Sequence, residues 1–423
     1  MTRRDRLAAG TLALALTILL QVLRGDADWG PSEGVYALSS RLLLHGGDLY
    51  GGLVGSQPPW TYLFGAATLA THDSLGVLRL ACGLLQVVTG LLAAEAVFRL
   101  TRQRVAAIIA AGLVVVTPWA THQHGLLLPE QLGAPLLLGA ALLASRPGRA
   151  SRVAGVLAGL AVFAKLPFAL PAALVVAVSP ARGTAARWAA GAIALQAVAF
   201  TAIFGTGLWR QIVGAQLQSG KTFELQAGAF VQAGWNLLPL VVLAAAALWL
   251  RREAAEPPLL RTLAAGAIGA LAMTLTIVKP GTGLNVVVPS EPLLATLAVA
   301  GVVFALRTEG LRVRAAAVAG VLGLLMLAQS ASTVLDPNDP RPFHRPLSSS
   351  PGWKVGHDAA QMRRLVAAAK RCPPGSAYDG PPLVAFIAHR RVPAGQPDAF
   401  IVSHASMHAG VLKRLLADGP RCR

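Results

Sequence analysis

Apolar residues come in long, nearly unbroken stretches with short polar punctuation between them, not in the alternating rhythm of strands. Eleven such stretches, at about 7–23, 75–98, 104–120, 126–145, 151–165, 167–181, 186–205, 234–250, 260–278, 287–306 and 313–330, approach the roughly 20 residues that a helix needs to cross a hydrocarbon core. A closed barrel would alternate apolar and polar positions, so helices are the predicted way to satisfy the backbone in lipid. Two shorter segments stand apart. Residues 33–45 bring Val35, Leu38, Leu42 and Leu43 near helical spacing, with Ser39, Ser40 and Arg41 between them. Residues 58–71 are apolar but short and open on two prolines. Both are expected to lie along the membrane surface, with Trp60 and Tyr62 at headgroup depth.

Composition narrows the class. Of 423 residues, 54% are hydrophobic and only 13% charged, too apolar for a soluble globular domain. The formal charge of +18 would suit a nucleic-acid partner, but the arginines sit in clusters between apolar runs: TRRDR, FRLTRQR, SRPGRASR, ARGTAAR, RREAAEPPLLR and RTEGLRVR. All six fit on one side of a membrane, which predicts a cytoplasmic amino terminus. No aromatic-interleaved basic stretch accompanies them, so no nucleic-acid partner is expected. VLRGDADWG lacks a small-x-small cleavage site, so the first run reads as a retained anchor.

The expected fold is an all-α polytopic membrane protein with about eleven transmembrane helices, interfacial helices in the first outer loop, and a small α/β extracytoplasmic C-terminal domain. The membrane domain is assigned to 1–330 with its first outer loop at 24–74, a proline-rich linker to 331–352, and the C-terminal domain to 353–423. In that domain DAAQMRRLVAAAKR and HAGVLKRLLADG read as helices and PLVAFIAHRR as a buried strand or short helix. Cys372 and Cys422 flank it, either bridged or as two thiols. Cys82 reads as apolar filler within a membrane helix.

The candidate chemistry lies in polar groups that a bilayer would exclude. The segment 24–60 gathers Asp26, Asp28, Glu33 and Asp48 in a chain with 19 carboxylates. Acids at a membrane–water boundary can take a proton from an acceptor hydroxyl or hold a divalent metal. Glu130 and Lys165 fall on the same predicted outer face, where the plain alternative is snorkelling to water. KPGTGLNVVVPSEP adds Lys279, Asn285 and Glu291, and the loop 206–233 adds Arg210 and Lys221. Outward cations run against the inside bias and suit a lipid phosphate; ordinary solvation is their plain alternative.

In order along the chain, Glu33, Tyr36, Gly46, Gly47, Tyr50, Pro58 and Pro59, then Arg79, Glu130, the GLAVFAK segment and NVVVPSEP resemble the membrane glycosyltransferases of the GT-C fold. That group includes protein O-mannosyltransferases and the aminoarabinose transferases of lipid A. The resemblance implies an inverting transferase in the bacterial cell membrane. It would take a sugar from a polyprenyl-phosphate carrier on the extracytoplasmic face and pass it to a lipid, glycan or protein acceptor. Carried over residue by residue, it implies Glu33 and Glu130 as the acidic catalytic positions and Lys165 as a basic position near the donor phosphate, while the chemistry of the loop offers Asp28 as an alternative base. Tyr36, Tyr50, Arg79, Lys165, Arg210, Lys221, Lys279, Asn285 and Glu291 are the expected substrate-binding groups. Family members commonly open the first-loop signature with an Asp-Glu pair, whereas this chain has Ser32-Glu33. Either Glu33 acts alone, or Asp26 or Asp28 folds back to assist. No cofactor is required by this scheme. A divalent cation between Glu33 and Glu130, with His122 or His124, is an alternative phosphate clamp. A transporter or flippase for a lipid-linked substrate is the rival reading, and it predicts paired repeats and ionisable groups at mid-membrane. A non-catalytic scaffold is the third.

Overall fold

The computed structural model describes residues 1–24, 31–215, 217, 227–278, 284–335, 359–395, 397 and 421–422. Along the chain run α1 (Arg3–Arg24), α2 (Pro31–Leu44), α3 (Trp60–Leu69), α4 (Leu75–Thr101), α5 (Arg104–Val116), α6 (Pro118–His122), α7 (Pro129–Ala144) and α8 (Arg149–Ala164). Next come α9 (Ala169–Ala177), α10 (Arg182–Phe204), α11 (Gly207–Trp209), α12 (Ala227–Trp249), α13 (Pro257–Met273), α14 (Ser290–Arg307) and α15 (Arg312–Leu335). Each of the eleven apolar stretches coincides with one of these helices. Proline explains the main departure: Pro118 separates α5 from α6 inside the stretch expected as continuous over 104–120, because its ring cannot continue the preceding helix. Among the described residues six helices are long and apolar enough to cross a membrane.

Polar contacts sort the helix ends into two groups. At one end Arg6 of α1 meets Glu95 of α4 at 3.4 Å and Arg104 of α5 meets Asp5 of α1 at 3.7 Å. Nearby, Arg99 donates from Nε to Glu256 at 2.9 Å, from Nη1 to the Leu142 carbonyl at 2.9 Å and from Nη2 to Ser145 at 2.8 Å. Arg102 and Arg146 approach the same Glu256, and Arg307 reaches the Thr101 carbonyl. One carboxylate thereby ties the last turns of α4 and α7 to the start of α13. At the opposite end Ser330 of α15 donates to the Val116 carbonyl of α5 at 2.6 Å. Glu291, in the first turn of α14, there accepts from Thr117 at 2.6 Å and from the Trp119 and Ala120 amides at 2.9 and 2.8 Å. Small residues let the helices between these ends touch along their backbones. A Cβ on Gly159 of α8 would fall 2.8 Å from the Ala189 carbonyl of α10, and one on Gly90 of α4 2.8 Å from that of Ala111 in α5.

The C-terminal segment contributes α16 (Ala359–Lys370), α17 (Pro382–Ile387) and a short parallel pair, β1 (Ala377–Tyr378) with β2 (Arg421–Cys422). Cys372 and Cys422 are joined in a disulfide, the bridged alternative of the two, with Cα atoms 5.8 Å apart. PLVAFIAHRR forms helix α17, and α15 continues past the expected end at 330 to Leu335. The helix expected over HAGVLKRLLADG lies outside the described residues.

The first loop departs from expectation in how it is covered. α2 packs between α3 and α17, so Ser39 and Ser40 are fully buried and Arg41 nearly so. Ser40 satisfies its hydroxyl by donating to the Tyr36 carbonyl at 2.7 Å. α3 faces inward too. Tyr62 is fully buried, and Trp60 donates from Nε1 to Gln196 of α10 at 2.6 Å and packs edge-on against Phe200. The indole and the phenol thus meet protein groups in place of headgroups.

Glu256 yields the first prediction. Burial opposes its charge, but hydrogen bonds and attraction from Arg99 and Arg146 outweigh it and hold the carboxyl below its ordinary value of 4.5. Glu256→Gln is expected to remove about 1.5–3 kcal/mol of charge-assisted hydrogen bonding, read as a lower melting temperature in neutral detergent. A carboxyl with a lowered folded-state pKa stabilises above its unfolded value and stops doing so as pH falls through the folded one. The gap between wild type and variant should therefore be full at neutral pH and close only as pH falls below the ordinary carboxylate range, through the lowered folded-state pKa.

Candidate active site

The end opposite the arginine clusters holds two buried ion pairs built from segments far apart in sequence. Glu33 lies in the first turn of α2, where exposed peptide amides favour a carboxylate. Arg79, in the second turn of α4, grips it with both arms, Nε to Oε1 at 3.0 Å and Nη2 to Oε2 at 2.7 Å. Glu33 is fully buried and Arg79 is 4% exposed. Gly34 allows the closure above this pair, since the backbone of Leu383 in α17 occupies the place where a Cβ would stand.

The second pair forms around a break in helix α8. Pro167 has no amide to bond back to Phe163, and its ring clashes with that carbonyl, so helix α8 cannot run through it. α8 ends at Ala164, followed by extended Lys165, φ −158° and ψ 129°. The chain resumes in a 3-10 turn, Leu166–Phe168, whose Phe168 ring fills the space above Gly133 of α7. That contact sets Lys165 beside Glu130 in the first turn of α7. Lys165 Nζ donates to Glu130 Oε1, and Asn285 donates to the same oxygen at 2.8 Å. Glu130 is fully buried and Lys165 is 8% exposed. The other carboxylate oxygen, Oε2, is buried with no hydrogen-bond donor among the described residues.

Aromatic residues hold the loop between α2 and α3 against α10 and α11. Tyr50 takes a left-handed conformation, φ 69°, donates its hydroxyl to the Gln57 carbonyl at 2.5 Å and is 2% exposed. Burial raises its phenol well above the ordinary 10.0. Tyr62 packs edge-on to both Tyr36 and Tyr50, 5.8 and 6.3 Å between ring centroids. Its hydroxyl accepts the Ser56 amide at 3.0 Å. Gln211, which no sequence motif marks, bridges this loop by accepting the Gly55 amide at 2.6 Å and donating to the Tyr50 carbonyl at 2.7 Å. A periodicity of apolar residues gives no signal for such a side chain.

The remaining site residues separate. Arg210 is exposed and donates to Thr206 at 3.1 Å. Asn285 joins Glu130, whereas Glu291 turns away from it to cap α6, so the two do not share a ligand-facing loop. Asp28, Lys221 and Lys279 lie outside the described residues, as does Asp26. His122 stacks edge-on against Trp119. Glu33 and Glu130 already have an arginine and a lysine for partners, and among the described residues no three His, Cys, Asp or Glu side chains converge as an ion site would need.

A buried pair broken on one side leaves an uncompensated charge, which costs about 3–5 kcal/mol. Glu33→Gln and Arg79→Met are each expected to lower the melting temperature sharply, and the double variant should regain a large share of the loss. Denaturation of all four proteins in one detergent forms the thermodynamic cycle. Additive losses would show that the two side chains are not coupled.

No family model and no curated protein matches the sequence. Solved structures do match in fold. The crystal structure of ArnT from Cupriavidus metallidurans bound to undecaprenyl phosphate superposes with a TM-score of 0.63 at 13% identity, covering 93% of this chain and 87% of that one. The apo form of the same protein gives 0.56 at 15% identity, with coverages of 97% and 89%. At such identity the likeness establishes architecture. It extends over nearly the whole of both chains, and the chain has the GT-C fold.

Proposed function

We propose that this chain is a membrane glycosyltransferase that moves a hexosyl or pentosyl group from a polyprenyl-phosphate carrier to the hydroxyl of a lipid, glycan or protein acceptor. The observation that carries the reading is the unequal use of Glu130. Its Oε1 receives both Lys165 and Asn285, while its buried Oε2 receives no donor among the described residues. A buried carboxylate oxygen without a partner is costly, so water or a ligand belongs beside it. An acceptor hydroxyl supplies such a donor.

In this scheme the acceptor oxygen attacks the anomeric carbon from the face opposite the phosphate. The new C–O bond forms as the bond from that carbon to the phosphate oxygen breaks, and polyprenyl phosphate leaves with the electron pair. The acceptor proton passes to Glu130 Oε2. A positioned base of this kind contributes roughly 10²–10⁴ in rate. Lys165 has three donors and gives one to Glu130, which leaves it able to meet the charge that builds on the departing phosphate. Exposed Arg210 stands on the segment whose next residue, Gln211, anchors the Tyr50 loop, and suits a second phosphate contact. Glu33, with both oxygens on Arg79, is assigned to positioning α2 against α4 in place of proton transfer. The solved structure of ArnT with undecaprenyl phosphate supports the donor class, as that protein shares the fold and holds such a lipid.

Orientation follows from charge. The arginine-rich end is proposed as cytoplasmic and the Glu130 end, with the C-terminal segment, as extracytoplasmic, with eleven helices passing between them. A cysteine at Thr71, exposed in the turn after α3, should react with an impermeant maleimide in intact spheroplasts. One at Arg149 should react only after permeabilisation. The native thiols are silent, since Cys82 is buried and the other two are bridged. The reverse pattern would overturn the placement.

Glu130→Gln and Lys165→Ala should each reduce sugar release from a radiolabelled polyprenyl-phosphate donor in isolated membranes by about 10²-fold or more. Unchanged turnover in both would reject these roles. Flipping of the labelled lipid with no new glycoside would favour a transporter.

A further inference from the structure

Away from Glu130 and Lys165, a cavity opens where the C-terminal segment meets α2. Its volume is about 260 Å³, and its charged lining is Arg41, His45, Asp73, His389, Arg390 and Arg391. Cations outnumber carboxylates there: three arginines stand against the single acid Asp73, with two histidines beside them. Arg41 is 8% exposed, donates to Asp73 at 2.8 Å and to the Phe386 carbonyl at 2.6 Å, and lies 3.6 Å above the Phe386 ring. Arg390 donates to the carbonyls of Ala369 and Lys370, so its charge meets dipoles and no carboxylate among the described residues. His389 is held in a left-handed conformation, φ 52°, with Nδ1 3.8 Å from Asp73. A non-glycine residue in that region is strained, and such strain gathers at ligand sites. Arg391 turns Nε and Nη2 to the Gly375 carbonyl at 3.1 and 2.8 Å, so all three guanidinium groups are anchored by carbonyls and bring a net positive charge to the cavity, which suits an oxyanion.

We propose that this cavity binds a phosphoryl anion. Size limits the occupant. Pockets for drug-sized ligands hold roughly 300–1,000 Å³, so 260 Å³ takes a headgroup or a sugar phosphate and excludes a lipid tail. Position limits it too. Asp73 and the start of α4 lie at the same end of the assembly as Glu33 and Arg79, and Arg41 is two turns along α2 from Glu33, about 12 Å by helical rise. An anion seated here lies at the same end as the proposed reaction centre and outside it. The same chemistry is offered by the headgroup of an anionic phospholipid and by a phosphorylated glycan.

The full chain in neutral detergent is titrated with pyrophosphate while its melting temperature is followed, since a ligand that binds the folded state raises it. In parallel it is placed in nanodiscs of phosphatidylglycerol or of phosphatidylcholine. His45 is exposed and makes no side-chain hydrogen bond among the described residues, so His45→Glu sets a carboxylate in the cavity without disturbing packing. That variant should bind pyrophosphate at least tenfold more weakly. Asp73→Asn removes the competing charge, keeps an acceptor for Arg41, and should bind several-fold more tightly. Stabilisation by pyrophosphate identifies a soluble or glycan phosphate as a ligand, and stabilisation by phosphatidylglycerol alone identifies a headgroup. Pyrophosphate held at Lys165 would vanish in Lys165→Ala and survive His45→Glu. That result, or equal affinity in all variants, or acetate binding as well as pyrophosphate, would overturn the cavity assignment while leaving the transferase reading to its own test.

Discussion

An ionised side chain at the middle of a bilayer costs about 2.5–3.5 kcal/mol on insertion scales, so a chain with at least six helices long and apolar enough to cross one must gather its charges at their ends. Here the two ends use charge differently. One collects Arg99, Arg102 and Arg146 around a single carboxylate, Glu256, with excess positive charge left over. The other buries two pairs that are each neutral as a unit, Glu33 with Arg79 and Glu130 with Lys165, and keeps its own excess of arginine apart from them, around the cavity of Arg41, Arg390 and Arg391. Neutrality is what permits their burial. A lone carboxylate at 0% exposure would shed its charge by taking up a proton. Paired with a guanidinium or an ammonium it can stay ionised. The sorting of charge therefore fixes where chemistry can be housed before any substrate is considered.

Between the ends, close backbone approach does the work that large side chains do in soluble cores. Gly155 and Gly159 on one face of α8 admit α10, and Gly301 of α14 admits α12 against the Leu243 carbonyl. Dispersion grows with the number of atoms brought into contact, and small residues raise that number by letting whole helices meet. The same device reaches the site itself. Gly133 receives Phe168, which seats the turn that carries Lys165, and Gly34 receives Leu383, which seals the pair below it. The reactive geometry thus depends on packing between neighbours as much as on the charged groups.

Elements whose cause is local were legible in the sequence. Each of the eleven apolar stretches is helical, as periodicity and length require, and Pro118 is the visible reason that one of them breaks. The convergence of Glu130 and Lys165 followed from alternation, since helices that turn back and forth bring their odd and even ends together. Contacts set by a single hydrogen bond between distant residues were not legible. Gln211 meets the Tyr50 loop across 161 positions, and Glu291 meets Thr117 across 174, with no repeated pattern at either place. The burial of Ser39, Ser40 and Tyr62 was also hidden. Amphipathic spacing says which face is polar, but it cannot say that a hydroxyl finds a carbonyl of its own helix and that another helix then covers it.

α2 is where these threads meet. Its first turn holds Glu33 to α4, its middle accepts α3 through Ser40 and Gly65, and its later turns hold Arg41 to both Asp73 and the Phe386 carbonyl of α17. Three contacts on one 14-residue helix make it a rigid strut, so a force on its C-terminal half is felt at its start. An isolated helix of this length is marginal in water and owes its stability to packing. Covered by the C-terminal segment on one side and by α3 on the other, α2 keeps Glu33 under Arg79. The C-terminal segment is then part of what holds the site together, and its disulfide, joining Cys372 to Cys422, limits how far that cover can unravel from the helix it presses on.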